Sequence, residues 1–464
     1  MLLTTLTVAA LIISTAFAAP VTISNTVPRR DTAGAILDAH DSKLNYKDGL
    51  FYWHAASYGN CTEPKGASGC NPASVGSCGF QTDHNVTLYT SPDLVTWTNR
   101  GAVFGATGNL PPQSVLFAPK TVYNAQTKLW VLWFNYIVNS FSNSYYGVAV
   151  ANDPAGPFVL KNSNVKLQYT DNGDEGLFVD DDGEAYVIYT TLSHGHSISI
   201  ERLSSDYTTS LGASASSGLF GQTFVEAPAL LKRNGVYYAT FGSCCCYCGS
   251  GSPVSVYTAT HPLGPYTQRN VLGAARAAPE SRVAPSNGTV VAVLSATYAQ
   301  SCGNATDLTA QASAACAGSA NCSWQVCVEG QPSCPPGSPD AIPDPCYGSV
   351  KDLSVEWTCS GDAPGATRQA HLAAPAEGRW AEVSCFPAPS QPFGSQQTDI
   401  FAYTDSHGDK QFMYVGDHWQ SAPDGLKSHD FTVWAPLLFA ADGNVTSPGF
   451  LSSFTVDVGP AGMI

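Results

Sequence analysis

Short runs of β-branched and aromatic residues, cut by Gly, Asp and Asn, recur along the chain and constrain its fold more than any other feature. They include LFYWHAAS (50–57), VTLYTS (86–91), LWVLWFNYI (129–137), YYGVAVA (145–151), AYVIYTT (185–191), VYYATFG (236–242) and QFMYVGD (411–417). Their length and residue types predict strands, and sustained helical periodicity is scarce. Lys47-Asp48-Gly49, Asp181-Asp182-Gly183 and Arg233-Asn234-Gly235 precede three such runs. Asp-Gly and Asn-Gly supply the positive φ that a tight hairpin needs. Each unit then ends on a phrase such as SPDLVTW (91–97), DPAGPF (153–158) or HPLGPY (261–266). An all-β unit repeated at this scale is a propeller blade, and the turn spacing fits about five blades.

Residues 296–385 interrupt the pattern with eight cysteines, at 302, 316, 322, 327, 334, 346, 359 and 385. Such density predicts a small disulfide-stapled module. Aromatic strand sequence resumes afterwards, so the module is an insertion. The expected organisation is a leader over 1–18, propeller over 31–295, the inserted module over 296–385, and propeller closure over 386–464.

The leader, an uncharged apolar run ending in Ala16-Phe17-Ala18, reads as a secretory signal peptide, and no later stretch is apolar for long enough to span a membrane. Export to the cell exterior, wall or surface fits the sequons at Asn60, Asn85, Asn287, Asn304, Asn321 and Asn444 and the 15 cysteines. An odd number leaves at least one thiol unpaired within the chain. A net charge of −15 excludes nucleic acid as a natural partner. Nothing in the sequence calls for a cofactor or metal. The dense Cys244-Cys245-Cys246-Tyr247-Cys248 lacks the spaced ligand pairs of a zinc site and is expected to form disulfides with Cys61, Cys70 or Cys78.

The ordered motifs DAHDSKLNYKDGLFYW (38–53), LYTSPDLVTW (88–97), APKTVYNAQTKLWVLW (118–133), DEGLFVDDDGEAYVIYT (174–190), VEAPALLKRNGVYY (225–238), SQQTDIF (395–401) and YVGDHWQ (414–420) carry a resemblance. The chain resembles glycoside hydrolase family 43, five-bladed propellers acting on arabinan, xylan or galactan side chains, and within it the exo-β-1,3-galactanase branch. The insertion, through LSATYAQSCG (294–303), its cysteines and DPCYGSVKDLSVEWTC (344–359), resembles galactose- or rhamnose-binding lectin domains of the sea-urchin-egg type. It departs at Tyr298-Ala299-Gln300, where those lectins carry a glutamate. The implied fold is an all-β five-bladed propeller with an inserted small disulfide-rich lectin-like module.

Glycosidic hydrolysis by inversion needs an acid for the leaving oxygen and a base for water on the opposite face. By the resemblance, Glu226 is the acid and Asp174 the carboxylate that raises its pKa and orients it. For the base, two alternatives stand. Asp41 lies at the family's usual distance before Phe51-Tyr52, with Asp38 its nearest competitor, whereas the galactanase branch uses a last-blade glutamine, here Gln396. A carboxylate is the stronger base, which favours Asp41. His40, Gln397, Asp417 and Trp419 are the expected substrate contacts, Trp419 by stacking on a sugar ring. The galactanase branch has Glu-Arg before Pro-Lys in its second blade, where this chain reads Phe117-Ala118-Pro119-Lys120. The expected partner is a galactose-containing polysaccharide or glycoprotein glycan; the reading leaves oligomeric state open.

Overall fold

The computed structural model describes residues 20–63, 74–170, 172–243, 247–249, 251–272, 290–298, 305–317, 321–325, 342, 353–359, 368–372, 380–384, 393–405, 407–440, 443–447 and 449–458. The leader, Cys70 and Cys244 to Cys246 lie outside them. The chain divides into two compact units, one of residues 1–275 with 390–464 and one of residues 276–389. No helix among the described residues is long and apolar enough to cross a membrane.

The first unit is a five-bladed propeller, each blade an antiparallel meander. Blade 1 runs His40–Lys47, Leu50–Ser57, Asn85–Ser91, Thr98–Gly105, and blade 2 runs Ser114–Asn124, Leu129–Val138, Ser140–Ala151, Val159–Asn162. Blade 3 has Asn172–Val179, Ala185–Thr191 and Ser197–Arg202; bridges from Ile198, Glu201 and Leu203 to Phe220, Ser216 and Ser210 take the place of a fourth strand. Blade 4 comprises Val225–Arg233, Val236–Ser243, Val254–Ala259 and Thr267–Leu272, and blade 5 Gln396–Thr404, Lys410–His418, Phe431–Phe439 and Val445–Thr446.

The hairpins follow their turn residues. Asp48 and Asn234, with φ of 51° and 50°, each precede a glycine with positive φ, the pattern of a type I′ turn. In the first hairpin of blade 3 only Gly183 takes a positive φ, because the turn is longer: Asp180 N–H bonds Glu184 O, and Gly183 N–H bonds Asp180 O.

Separate apolar cores glue the blades face to face. Trp53 and Leu44 of blade 1 pack with Met413, Phe401 and Trp434 of blade 5. Val86 and Phe104 meet Leu132 and Phe134 between blades 1 and 2, and Val131 and Trp133 meet Val187 and Tyr189 between blades 2 and 3. Ile188 and Ile200 join Ala239 and Phe241 across blades 3 and 4. Val254 and Val256 join Tyr414 and Ala435 across blades 4 and 5. The ring therefore closes by burial, since each blade's second apolar face is covered only by its neighbour. Val21–Ser24 pairs with Ser453–Val456, tying the two ends of the unit.

In the second unit a four-stranded sheet orders Thr306–Asp307, Val290–Tyr298, Leu353–Cys359 and Arg368–Leu372. Helix Thr309–Cys316 buries Ala312 and Cys316, with Asp307 Oδ1 accepting the Thr309 N–H at its start. Asn321–Gln325 pairs with Trp380–Ser384. The expected boundary at 296 falls inside strand Val290–Tyr298, whose ladder partner is Leu353–Cys359. Cys316 is disulfide-bonded; Cys302, Cys327, Cys334, Cys346 and Cys385 lie outside the described residues.

Candidate active site

One local event recurs in the inner strand of every blade. The register slips by one residue between His40 and Lys43, Phe117 and Lys120, Asn172 and Glu175, Glu226 and Ala229, and Gln397 and Asp399. Such β-bulges re-aim a side chain and stop it alternating with its neighbours. Asp41, Ala118 and Ala227 sit in these bulges with φ of 46°, 46° and 53°. A non-glycine residue there costs of order 1–3 kcal/mol, which the surrounding ladders must offset. The ring thus carries equivalent distortions near the start of all its inner strands. Asp41, Asp174 and Glu226 belong to three of them.

These three carboxylates come together, half-buried. Asp174 Oδ2 accepts the Ala227 N–H at 3.1 Å, directly after Glu226. Burial, then the charges of Glu226 and of Asp41, push Asp174 up to about 8. Gln396 Nε2 donates to Glu226 Oε1 at 2.8 Å, and Gln396 Oε1 accepts from Trp419 Nε1 at 2.8 Å. The last-blade amide is therefore oriented at both ends.

Asp41 sits in a different setting. The Tyr58 hydroxyl donates to its Oδ2, and its N–H donates to Asp417 Oδ2 at 2.8 Å. Burial and the Asp417 charge raise its pKa, against Tyr58, Lys120 and His40. Asp417 Oδ1 also holds His40 Nδ1 at 3.2 Å. Burial alone would depress this imidazole, but Asp417 and Asp38 raise it to about 9, so it is a cation at neutral pH and donates to Asp417. Asp38 accepts the N–H groups of Tyr58 and Gly59 at 2.9 and 2.8 Å, which fixes the loop that presents Tyr58.

All four expected substrate contacts are sealed from solvent. Trp419 is 1% exposed, packed by His40, Tyr58 and Tyr247, with the Lys427 ammonium 3.7 Å from its ring centre. It has no free face for a sugar; its indole N–H positions Gln396 instead, which corrects the stacking expectation. Gln397 is fully buried and donates to Ala227 O and Thr240 O at 2.8 and 3.1 Å, joining blade 5 to blade 4. His40 and Asp417 are buried beneath Asp41 as its support. A second correction concerns the cysteines: Cys61 bonds to Cys78 within the first-blade loop, so neither is available to the 244–248 cluster. Cys248 is itself disulfide-bonded.

Three neighbours were not anticipated from the sequence. Tyr58 follows a strand and looks like a loop aromatic. Lys120 belongs to the altered Phe117-Ala118-Pro119-Lys120 motif, which carries no sign of its partners. Glu175, next to Asp174, is buried with no hydrogen-bond partner from another residue on either carboxylate oxygen, and burial holds its pKa well above the carboxylate range. Strand alternation signals that Asp174 and Glu175 diverge, but not that Glu175 is enclosed.

The comparisons with known proteins agree with this architecture. The Aspergillus niger protein named beta-D-galactofuranosidase xynD is 28% identical over 199 residues, which are 39% of this chain and 54% of that protein. The chain thus spans about half the length of this curated relative. An exo-beta-1,3-galactanase from Clostridium thermocellum matches with a TM-score of 0.58 at 18% identity, over 95% of this chain and 68% of its own. An exo-beta-1,3-galactanase from Phanerochaete chrysosporium, solved with galactose, matches with a TM-score of 0.54 at 17% identity, over 94% and 69% of the two chains. At such identities these structures establish the propeller fold. Residues 37–297, more than half of the chain, match the family model of Glycosyl hydrolases family 43, and the chain belongs to that family.

Proposed function

We propose that the protein is a secreted inverting glycosidase that hydrolyses galactose- or arabinose-containing polysaccharide side chains, with Glu226 as general acid, Asp174 as its modulator and Asp41 as general base. The observation that carries the reading is the convergence of three carboxylates from three blades, with Asp174 bonded to the backbone beside Glu226. Two half-buried carboxylates that repel each other hold a proton near neutral pH, as a general acid requires. Asp41 accepts from the Tyr58 hydroxyl and has two cations, Lys120 and His40, acting to stabilise its charge.

What favours Asp41 over Gln396 as base is that both ends of the Gln396 amide are already used, one on Glu226 and one on Trp419. Gln396 then orients the acid. The galactose preference rests on the names of the similar proteins, and an oxidising, extracellular setting is supported by the Cys61–Cys78 disulfide. The lectin-like resemblance of the inserted unit would add glycan binding beside catalysis.

The test is a panel of β-1,3-galactan, arabinogalactan, arabinan and xylan, incubated with wild type and Glu226→Gln side by side. Reducing sugar should appear from a galactose-containing substrate with wild type only. Binding across the panel without release would instead identify a glycan-binding protein.

A further inference from the structure

A cation sits among the inner strands that bear the carboxylates. Lys120 is 3% exposed and follows the blade 2 bulge. Its Nζ donates to three main-chain carbonyls, Asp41 O at 3.1 Å, Ser42 O at 2.8 Å and Thr398 O at 2.8 Å. The first two belong to the blade 1 bulge and the third to the blade 5 bulge. An ammonium has three protons, so all are committed to backbone. One side chain of blade 2 thereby fastens the distorted backbone of blades 1 and 5.

Its charge is not spent on a bonded carboxylate. Asp399, the first of the acids that act on it, is taken by Lys43 Nζ at 3.1 Å and by the Leu44 N–H at 3.2 Å. Burial raises the pKa of Glu175 well above its ordinary value, which disfavours its charged form. Of the acids left, Asp41 and Asp174 both feel Lys120, and Asp41 is the one whose own backbone carbonyl the ammonium holds. Asp41 in turn faces Asp417, Tyr58 and His40 from its own blade and blade 5, Asp174 from blade 3, and Tyr247 and Lys427 from the flanking loops. His40 is already bonded to Asp417.

We infer that Lys120 is a positioning residue for the base: its three carbonyl bonds hold the strained Asp41 bulge in place, and its charge favours the ionised Asp41 carboxylate that must accept a proton from water. The inference rests on the proposed role of Asp41. A conventional buried lysine pairs with a carboxylate and needs no particular backbone. Here the ammonium selects carbonyls that only the bulges expose, so loss of either partner would undo the other.

The pH profile of kcat/KM on the substrate found active tests this. Lys120→Met should lower kcat at least tenfold with little change in KM, and should move the acidic limb upward by roughly one to three pH units, the effect of losing a nearby opposite charge. Lys120→Arg keeps the charge and should leave the limb near the wild-type position, even if kcat falls. A folded Lys120→Met with an unmoved acidic limb overturns the inference. Should Lys120→Met fail to fold, the 15N resonance of the Lys120 ammonium in wild type replaces it. That signal should persist at neutral pH through slow proton exchange and shift with the midpoint of the acidic limb; a resonance insensitive to that midpoint overturns the inference. A normal profile in Asp41→Asn would instead remove the proposed base itself.

Discussion

The two sides of the carboxylate group differ in how their charge is met. On the side of blades 3 and 4, Asp174 and Glu226 stand against each other, and Asp174 has the charge of Lys120 and one backbone N–H for support. On the side of blades 1 and 5, Asp41 has the Tyr58 hydroxyl, the nearby Lys120 ammonium and the protonated His40 beneath it. The same bulge occurs in each strand. What separates an acid from a base in this ring is therefore the set of neighbours each bulge meets: two cations, Lys120 and His40, act on Asp41, whereas Asp174 meets Lys120 and the repelling charge of Glu226.

The strongest way to break the comparison is to exchange the roles it assigns. Asp41→Asn should lower kcat about 10²–10⁴-fold, the usual weight of a general base, and Glu226→Gln should do at least as much. Gln396→Ala should cost less, about 2–10-fold, from one lost hydrogen bond that orients the acid. Equal loss in Gln396→Ala with a mild effect in Asp41→Asn would transfer the base to blade 5.

A pH profile sharpens the acid side. Glu226 must stay protonated to act, and repulsion between the Asp174 and Glu226 charges keeps the pair from losing both protons together. Activity should fall as pH rises and the second proton of the pair leaves, the transition in which Asp174 is pushed up to about 8. Asp174→Asn removes the repelling charge, so the basic limb should move down by about one unit or more. An unmoved limb would separate Asp174 from the acid.

The smallest expected effect is on stability. The pKa of Asp174 is higher folded than unfolded, so its contribution is favourable below the unfolded carboxylate range and is lost as pH rises through about 8. Asp174→Asn should therefore raise Tm more at pH 9 than at pH 5. Asp41→Asn should raise it less, because the amide leaves Tyr58 and Lys120 without the charge they meet. A larger gain in Asp41→Asn would contradict the asymmetry.

Much of this was legible in the chain. The Asp48-Gly49, Gly183 and Asn234-Gly235 turns and the aromatic runs dictate the meanders, and the motifs around Asp174 and Glu226 mark two of the bulges. The register slips themselves were not visible, since a bulge depends on a ladder partner far along the chain. Trp419 shows the same limit. A tryptophan beside Asp417 and His418 reads as a sugar platform, and only packing by Tyr58, Tyr247 and Lys427 reveals a buried strut. Lys120 was hidden for the same reason: its partners are carbonyls, which carry no sequence signal.

The most direct measurement is the 1H NMR spectrum of sugar released in the first minutes of β-1,3-galactan hydrolysis by the wild-type protein. With Asp41 activating water opposite Glu226, α-galactose should appear first and mutarotate to the equilibrium mixture. Initial release of β-galactose, or no release from any galactose-containing glycan, would contradict the account.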